Sequence, residues 1–314
     1  MKQIPPVELF AKGYRIRGSD ICIDPLEPVR CAIITHAHGD HAVEGHETVY
    51  CSPGTAALIR ERYRFPAKTI REIPFGENFN ISGISFSLHP AGHILGSSQI
   101  RWSMDGKTVL FTGDFKCEPD PSCEAFEPVK CDILITEVTF GQKGKTHPDP
   151  EAVIAGLERY KGLNLIIGAY NLGKSQRLTR LINDHAPFFR VMIHPYMVGY
   201  HKIYEKFGFH LGKWEPYKRE VFKHQRNIIY LVSPHALKNL KADKHVLRAV
   251  ATGWDEKAAN YNFPVPVSDH ADWPALLATI NKSGAREVYT MHGEGHVIAQ
   301  EFKDTGMNIY HLNE

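Results

Sequence analysis

The sequence THAHGDH, residues 35–41, concentrates groups that bind metal ions. Its candidate ligands His36, His38, Asp40 and His41 fall within six residues, directly after the apolar run CAII. Side chains two positions apart in an extended segment point the same way, so His36 and His38 can hold one cation. The following turn would bring Asp40 and His41 towards a second. A polar loop with capping histidines is the alternative, but four candidate ligands in six residues favour a metal site.

Two further residues could complete such a site. His93 lies on a glycine-flanked turn in HPAGHILGSS, and Asp114 follows a strand and a glycine in VLFTGDF. Each oxygen of a carboxylate can reach one of two cations held about 3.5–4 Å apart in two-metal hydrolases, so we expect Asp114 to bridge. Either residue alone would more often be a capping or hydrogen-bonded residue of a turn. The histidine motif is what makes both of them candidate metal ligands.

A different motif, GAYNLGKS at residues 168–175, matches the G-x-x-x-x-G-K-S loop of nucleotide hydrolases. A working loop of that kind also needs a downstream apolar strand that ends in Asp and helps to hold Mg²⁺. The downstream runs FFRVMIH and NIIYLVS end without a carboxylate, so the match does not predict an ATPase. A helix N-terminus still attracts phosphate, which makes Lys174 and Arg177 candidate substrate contacts. Solvated surface charges are the alternative for both.

The pattern of apolar runs predicts an α/β protein with an insertion. Short β-rich runs such as CAIITHA, TVLFTGD and CDILITE fill the first part of the chain, and strand–helix alternation begins near residue 147. After residue 262, DWPALLATINKSG reads as a helix and EVYTMHG as a strand. We therefore expect a first lobe at 1–140, an insert at 141–262 and a return to the first lobe at 263–314.

Composition and charge point to a globular protein with a phosphate-bearing partner. The chain has 314 residues, 43% hydrophobic and 23% charged, enough for one large core or two smaller ones. The net charge is only +2, but residues 141–262 hold 20 Lys and Arg against 10 Asp and Glu. This basic segment suggests a partner that carries phosphates. We find no signal-like start and no membrane-length apolar window, and expect a soluble, cytoplasmic protein without membrane association.

Six motifs, in order, carry a resemblance to a known family over nearly the whole chain. THAHGDH, AGH and TGD resemble the second, third and fourth motifs of the metallo-β-lactamase superfamily. ITEVTFG, VSDHADW and MHGEGH resemble motifs A, B and C of its β-CASP nuclease group. The resemblance implies an αββα sandwich with an inserted β-CASP α/β domain. The full-length likeness is to the bacterial exonucleases associated with ATP-dependent DNA ligases.

The resemblance also implies roles for individual residues. The implied ligands are His36, His38 and His93 for a first metal, Asp40, His41 and His292 for a second, and Asp114 as the bridge. Two divalent ions are expected, with Zn²⁺ best suited and Mn²⁺ or Fe²⁺ as alternatives. A hydroxide between them would attack phosphorus, and the resemblance implies a catalytic role for Asp40 besides that of ligand. The motif B residue His270 would protonate the leaving oxygen, and Glu137 of motif A would orient that imidazole.

The substrate prediction weighs two signals. Glu in motif A and His in motif C are the combination of RNA-processing β-CASP enzymes, whereas the full-length likeness favours DNA repair exonucleases. We therefore predict a DNA nuclease, an exonuclease acting in repair with DNA ligase and helicase as partners. A β-CASP ribonuclease is the first alternative and a small-molecule metallohydrolase the second. Tyr170, Tyr196, Tyr200 and Trp214 could stack on bases, although most are expected in the core.

Overall fold

The computed structural model describes residues 4–63, 69–240 and 245–312. The strands are β1 Val7–Phe10, β2 Gly13–Ile16, β3 Ile21–Ile23, β4 Cys31–Ile33, β5 Thr48–Cys51, β6 Ile70–Glu72, β7 Asn78–Ile81, β8 Ile84–Pro90, β9 Ser98–Met104, β10 Lys107–Phe111, β11 Ile133–Val138, β12 Asn164–Gly168, β13 Arg190–Ile193, β14 Trp214–Pro216, β15 Ile228–Val232, β16 Val246–Val250, β17 Glu287–Gly293 and β18 Asn308–His311. The α-helices are α1 Pro53–Arg62, α2 Pro150–Ala155, α3 Lys174–His185, α4 Val198–Lys206, α5 Arg219–His224, α6 Pro234–Asn239, α7 Asp255–Ala258, α8 Trp273–Ser283 and α9 Gly295–Glu301.

The chain folds into two compact units. The first comprises the chain up to Pro119, Glu124–Thr146 and the chain from His270 onwards, and the second comprises Asp120–Cys123 and His147–Asp269. The chain thus leaves the first unit and returns to it, with turning points a few residues beyond the predicted boundaries at 140 and 262. Among the described residues, no helix has both the length and the apolar character that a membrane crossing requires.

The first unit is built on two sheets that share one core. One sheet has six strands in the order β1-β2-β3-β4-β5-β6, and the other has seven in the order β18-β17-β11-β10-β9-β8-β7. Strand β10 shows how sequence alternation directs packing, because Val109 and Phe111 enter the core between the sheets while Leu110 joins a cluster with Leu276 of α8 and Ile298 of α9. Burying each such side chain contributes about 1.5–3 kcal/mol. The second sheet is therefore apolar on both faces.

The second unit is built on a single parallel sheet. Its five strands lie in the order β14-β13-β15-β12-β16, and every neighbouring pair is parallel. On β12, Leu165 and Ile167 pack in a cluster with Leu178 of α3, whereas Ile166 packs with Leu237 of α6 on the other face. Parallel sheets need such cover on both faces, which explains the near-continuous apolar runs in the sequence. The predicted α/β class is confirmed.

The first unit's strands end where the chemistry-bearing residues begin. Strands β10, β11 and β17 are mutually parallel, so their carboxyl ends meet at one edge of the sheet. Asp114 lies three residues after β10, while Glu137 and His292 lie in the last residues of β11 and β17. Three of the motifs read from the sequence are therefore neighbours because of strand order and direction.

Strand β17 has a β-bulge within its sequence MHG. Glu137 pairs with Met291 and Val138 pairs with Gly293, so His292 is the extra residue between them. His292 has a positive φ of 55°, and bulges of this kind redirect a side chain. Gly293 also has a positive φ, and a Cβ there would lie 2.1 Å from the carbonyl oxygen of Val138. Only glycine fits that position.

Candidate metal centre

Three imidazoles from two separate motifs converge in the first unit. Nδ1 of His38 lies 3.1 Å from Nε2 of His36 and 3.1 Å from Nε2 of His93. Two nitrogens bound to one tetrahedral Zn²⁺ at about 2.0–2.1 Å are about 3.3 Å apart. The His38 nitrogen therefore lies from each of the other two at nearly the spacing of two ligands on one cation.

His36 is held in the protonation state that a ligand needs. Its burial, reinforced by the nearby His41, keeps the pKa of His36 well below its usual value although Asp114 opposes the shift, so the ring is neutral. Thr35 Oγ1 lies 2.6 Å from Asp24 Oδ2, to which it donates, and 3.1 Å from Nδ1 of His36. Nδ1 of His36 therefore donates to Thr35, and Nε2 keeps its lone pair for a metal.

One carboxylate oxygen faces all the imidazoles around it. Asp114 Oδ2 lies 3.5 Å from Nε2 of His41, 3.8 Å from Nε2 of both His36 and His93, and 4.0 Å from Nδ1 of His270. These distances exceed hydrogen-bond lengths for most of the pairs, so the oxygen and the nitrogens surround a space rather than bonding directly. Cations could occupy that space with Asp114 shared between them.

Asp114 is ionised despite its burial. Burial opposes ionisation, but the neighbouring imidazoles of His41, His270 and His36 hold the pKa of Asp114 well below its usual range. The preceding Gly113 has a positive φ of 58°, and a Cβ on it would lie 2.9 Å from the Cβ of Thr35. The glycine of TGD thus allows the turn after β10 to bring Asp114 against the histidine motif.

The ligand atoms form three overlapping groups, within each of which they lie no more than 4.8 Å apart. The groups are His36, His38 and His93; His36, His41 and Asp114; and His93, Asp114 and His270. Asp40 and His292 belong to none of the groups found among the described residues. Asp40 is exposed, and the ring centroid of His292 lies 6.5 Å from that of His41. Their assignment to a second cation stays a prediction.

Asp24 contacts the histidine motif, although no motif in the sequence indicates it. Its buried carboxylate accepts hydrogen bonds from Thr35 N at 2.7 Å and, through Oδ2, from Nδ1 of His41 at 2.9 Å. Burial lowers the pKa of His41, but Asp114 and Asp24 outweigh it and raise that pKa well above its usual value. Because Nδ1 of His41 donates to Asp24, Nε2 is directed at Asp114. The only sequence signal was an acidic residue directly after the apolar strand ICI.

Glu137 and His270 form a hydrogen-bonded pair beside the imidazole cluster. Nδ1 of His270 lies 2.9 Å from Oε1 of Glu137, which is 1% exposed. Glu137 also accepts from Phe115 N at 3.0 Å and, through Oε2, from the hydroxyl of Thr139. The carboxylate is thus fixed on both oxygens, and it fixes the ring of His270 with Nδ1 protonated. Nε2 is then the nitrogen of His270 that can exchange a proton with a bound molecule.

The start of helix α8 places His270. Ala271 N donates to the carbonyl oxygen of Phe115 at 2.8 Å, and Asp272 accepts from Ala275 N at 3.1 Å as the N-cap. This cap fixes the backbone at the start of α8. His270 therefore lies on backbone that is tied to the strand end that also carries Asp114.

Lys174 and Arg177, predicted as substrate contacts, lie in a buried ion-pair network of the second unit. Lys174 Nζ lies 3.0 Å from Asp269 Oδ2 and donates to the carbonyl oxygen of Val267 at 2.6 Å. Arg177 contacts Asp269 through Nη1 and Asp120 through Nε, each at 3.2 Å. The alternative of solvated surface charges is wrong, because the two residues are 4% and 2% exposed. A substrate phosphate would have to share these cations with two carboxylates, so the contact stays a prediction.

A stability measurement distinguishes a structural role of Lys174 from a role in substrate binding. Removing one partner of a buried ion pair leaves an uncompensated charge, so we expect Lys174→Met to lower the free energy of unfolding by about 3 kcal/mol. Urea unfolding followed by circular dichroism measures this, with the exposed Lys213→Met of the same unit as the control. Wild-type stability together with a raised KM for a nucleic-acid strand would instead identify Lys174 as a substrate contact.

Comparison with known proteins places this geometry in a family. Residues 14–167 match the family described as "Beta-lactamase superfamily domain". The chain is 29% identical to the "Probable DNA ligase" of Opitutus terrae over 97% of its own length and 31% of that protein. It is 30% identical to "5' exonuclease Apollo" of Gallus gallus over 54% of the chain and 40% of that protein. With "Endoribonuclease YSH1" of Mycosarcoma maydis the identity is 27%, over 52% of the chain and 23% of that protein.

The chain thus spans less than half the length of each of these relatives. A solved structure, "Crystal Structure of a Protein of Unknown Function from Enterococcus faecalis V583", superposes with a TM-score of 0.62 at 14% identity. It covers 89% of this chain and 78% of that one, which shows the fold alone. The family match covers the strands that carry the histidine motif and Asp114, and two of the relatives are named nucleases, so residues 14–167 form a metallo-β-lactamase fold domain and the chain has homologues in the β-CASP nuclease group.

Proposed function

We propose that this chain is a metal-dependent nuclease that hydrolyses phosphodiester bonds in DNA from a strand end, in repair. The observation that carries the proposal is a single carboxylate oxygen of Asp114 faced by four imidazoles, one of which, His270, is also hydrogen-bonded to Glu137. A cluster of candidate metal ligands beside a fixed proton donor suits the hydrolysis of a phosphodiester.

The donor set fits divalent cations. His36, His38 and His93 would hold one ion, and Asp114 with His41 would hold a second, completed by Asp40 and His292 as the family resemblance implies. Mixed imidazole and carboxylate ligands suit Zn²⁺, with Mn²⁺ or Fe²⁺ as alternatives. When bound, such ions supply an acidified water and positive charge that offsets the charge on the phosphate.

The remaining chemistry belongs to the protein's own side chains. A departing sugar oxygen needs a proton, and Nε2 of His270 can donate it because Nδ1 is engaged with Glu137. The charge of Glu137 stabilises the cationic imidazole, and its bonds from Phe115 and Thr139 keep it in place during the transfer. The His270 side chain is 25% exposed, so solvent can return the proton after each cycle.

The relatives support DNA first and RNA second. A protein named a DNA ligase aligns with nearly all of this chain and extends well beyond it, which supports a shared task with DNA ligase in repair. A helicase partner is proposed from the same resemblance. The similarity to a protein named an endoribonuclease, together with Glu137 in motif A and His292 in motif C, supports ribonuclease activity as the second candidate.

One time course tests the function and its substrate. DNA and RNA of matched sequence, labelled at the 5′ or the 3′ end, are incubated with protein whose metal content is measured on the same preparation. We expect DNA to shorten progressively from one end, RNA to be cleaved more slowly, and two divalent ions per chain. Faster internal cleavage of RNA would favour the ribonuclease. Turnover of a thioester or lactam without any strand cleavage would overturn the proposal.

A further inference from the structure

A cleft of about 950 Å³ opens in the second unit where its parallel strands end. Its lining includes Tyr170, Lys238, Arg248, Lys257, Asn260 and Tyr261. Tyr170 follows β12 by two residues, Pro234 follows β15 by two, and Val250 is the last residue of β16. Open parallel sheets bind ligands outside the carboxyl ends of their strands, and this edge cleft lies there.

The edge cleft is suited to an anion. It presents the cations of Lys238, Arg248 and Lys257, and none of the described residues that line it is acidic. Arg248 donates through Nη2 to the carbonyl oxygen of Leu237, but its Nε is buried without a hydrogen-bond partner among the described residues. A buried donor without a partner costs free energy that an anionic oxygen could recover. The charge pattern favours a phosphate-bearing ligand over a neutral one.

The edge cleft also presents an aromatic face. Tyr170 is 58% exposed, whereas the sequence predicts most aromatic residues of this segment in the core. Tyr261 lies in the same lining and is half-buried. Every nucleobase has a face that stacks on an aromatic ring, so a tyrosine beside a row of cations suits a single strand more than it suits an acidic peptide.

We propose that the edge cleft binds a single nucleic-acid strand, with one base stacked on Tyr170 and the flanking phosphates paired with Lys238, Arg248 and Lys257. The proposal rests on the nuclease function above and adds a contact surface for the strand that lies wholly within the second unit. Nothing in the family motifs assigns these cations or this ring.

The test is strand binding by the full chain without cleavage. Fluorescence anisotropy follows a labelled oligothymidylate in EDTA over a series of salt concentrations. We expect Tyr170→Ala to weaken binding by about 10-fold or more and Tyr170→Phe to preserve it, because the ring supplies the stacking. The double variant Lys238→Ala/Lys257→Ala should reduce the salt slope by about 1.4, since each phosphate contact to a single strand contributes about 0.7.

The chain offers a matched control for charge. Lys213 is exposed and directly precedes β14, so it lies at the amino edge of the same parallel sheet, opposite the edge cleft. Lys213→Ala should leave both the affinity and the salt slope unchanged. Thermal melting of each variant checks that these exposed substitutions leave the fold intact.

The outcomes separate this inference from the proposed function. If the Tyr170→Ala and double-lysine variants bind the strand like the wild type, the edge cleft is not a strand site, while cleavage by the wild type would still support the nuclease. If no strand is ever cleaved but binding depends on Tyr170, the inference holds and the nuclease function fails. Displacement of the strand by comparable concentrations of thymidine monophosphate would make the edge cleft a mononucleotide pocket and overturn the inference.

Discussion

Asp114→Asn is expected to reduce strand cleavage by at least about 1,000-fold. Under the proposed function the Asp114 carboxylate would be shared by the metal ions, and these ions would contribute several kcal/mol of charge stabilisation to the reaction. The substitution keeps the shape of the side chain and removes the negative charge that the surrounding imidazoles of His36, His41, His93 and His270 share. Cleavage of end-labelled DNA gives the rate, and elemental analysis of the same protein gives the number of bound ions.

A second aspartate of the same sheet provides the control. Asp105 is exposed in the turn between β9 and β10 and has a positive φ of 51°, a conformation that asparagine also adopts. Asp105→Asn should therefore leave the rate, the metal content and the melting temperature unchanged. Wild-type cleavage by Asp114→Asn, with a full complement of metal, would show that the reaction does not depend on the carboxylate, and the metal-centre proposal would fail.

His38→Ala tests the group of three imidazoles in the same candidate metal centre. Nδ1 of His38 faces both His36 and His93 at 3.1 Å, so its removal leaves two nitrogens of the first group. We expect metal content and cleavage to fall together. The His38 ring is not fully buried, so the fold should tolerate the change.

The sequence predicted the local parts of this centre and not the parts created by pairing of distant elements. The strands before His36 and Asp114 were readable because each is a short apolar run closed by a turn. The role of Asp24 could not be predicted from the sequence, because it depends on the parallel pairing of β3 with β4 and on hydrogen bonds from Thr35. A lone Asp after a strand carries no such information.

The buried ion pairs show the same limit. The start of helix α3 at Lys174 could be read from the sequence, but its buried partner Asp269 lies far along the chain, and no spacing in the sequence links the two residues. Whether a Lys is solvated or buried depends on such a partner, and spacing alone does not reveal it. The bulge that leaves His292 without a pairing partner on β11 likewise arises only when β17 pairs with β11. Mixed segments such as α4 and the three-residue strand β14 carried too little periodicity to be read from the sequence.

The His270→Ala substitution is expected to slow DNA cleavage by about 100- to 10,000-fold, the usual contribution of a positioned proton donor. A substrate with a p-nitrophenyl leaving group distinguishes this role from metal binding. The p-nitrophenolate departs without a proton, so the loss caused by His270→Ala should shrink to a few-fold or less on that substrate, whereas loss of a metal ligand would affect both substrates alike. His224→Ala, at an exposed histidine of the second unit, should change neither rate.

Glu137 is expected to act only through His270. The substitution Glu137→Gln, alone and combined with His270→Ala, tests this in a double-mutant cycle. The amide keeps the shape but loses the charge that stabilises the imidazolium, so we expect a loss of about 10- to 100-fold on DNA, typical of residues that orient a functional group. Adding Glu137→Gln to His270→Ala should then cause little further loss, since the two residues act as one unit through their 2.9 Å hydrogen bond. Multiplicative losses in the double variant, or equal losses on the p-nitrophenyl substrate, would mean that Glu137 supports the metal centre instead of the proton donor.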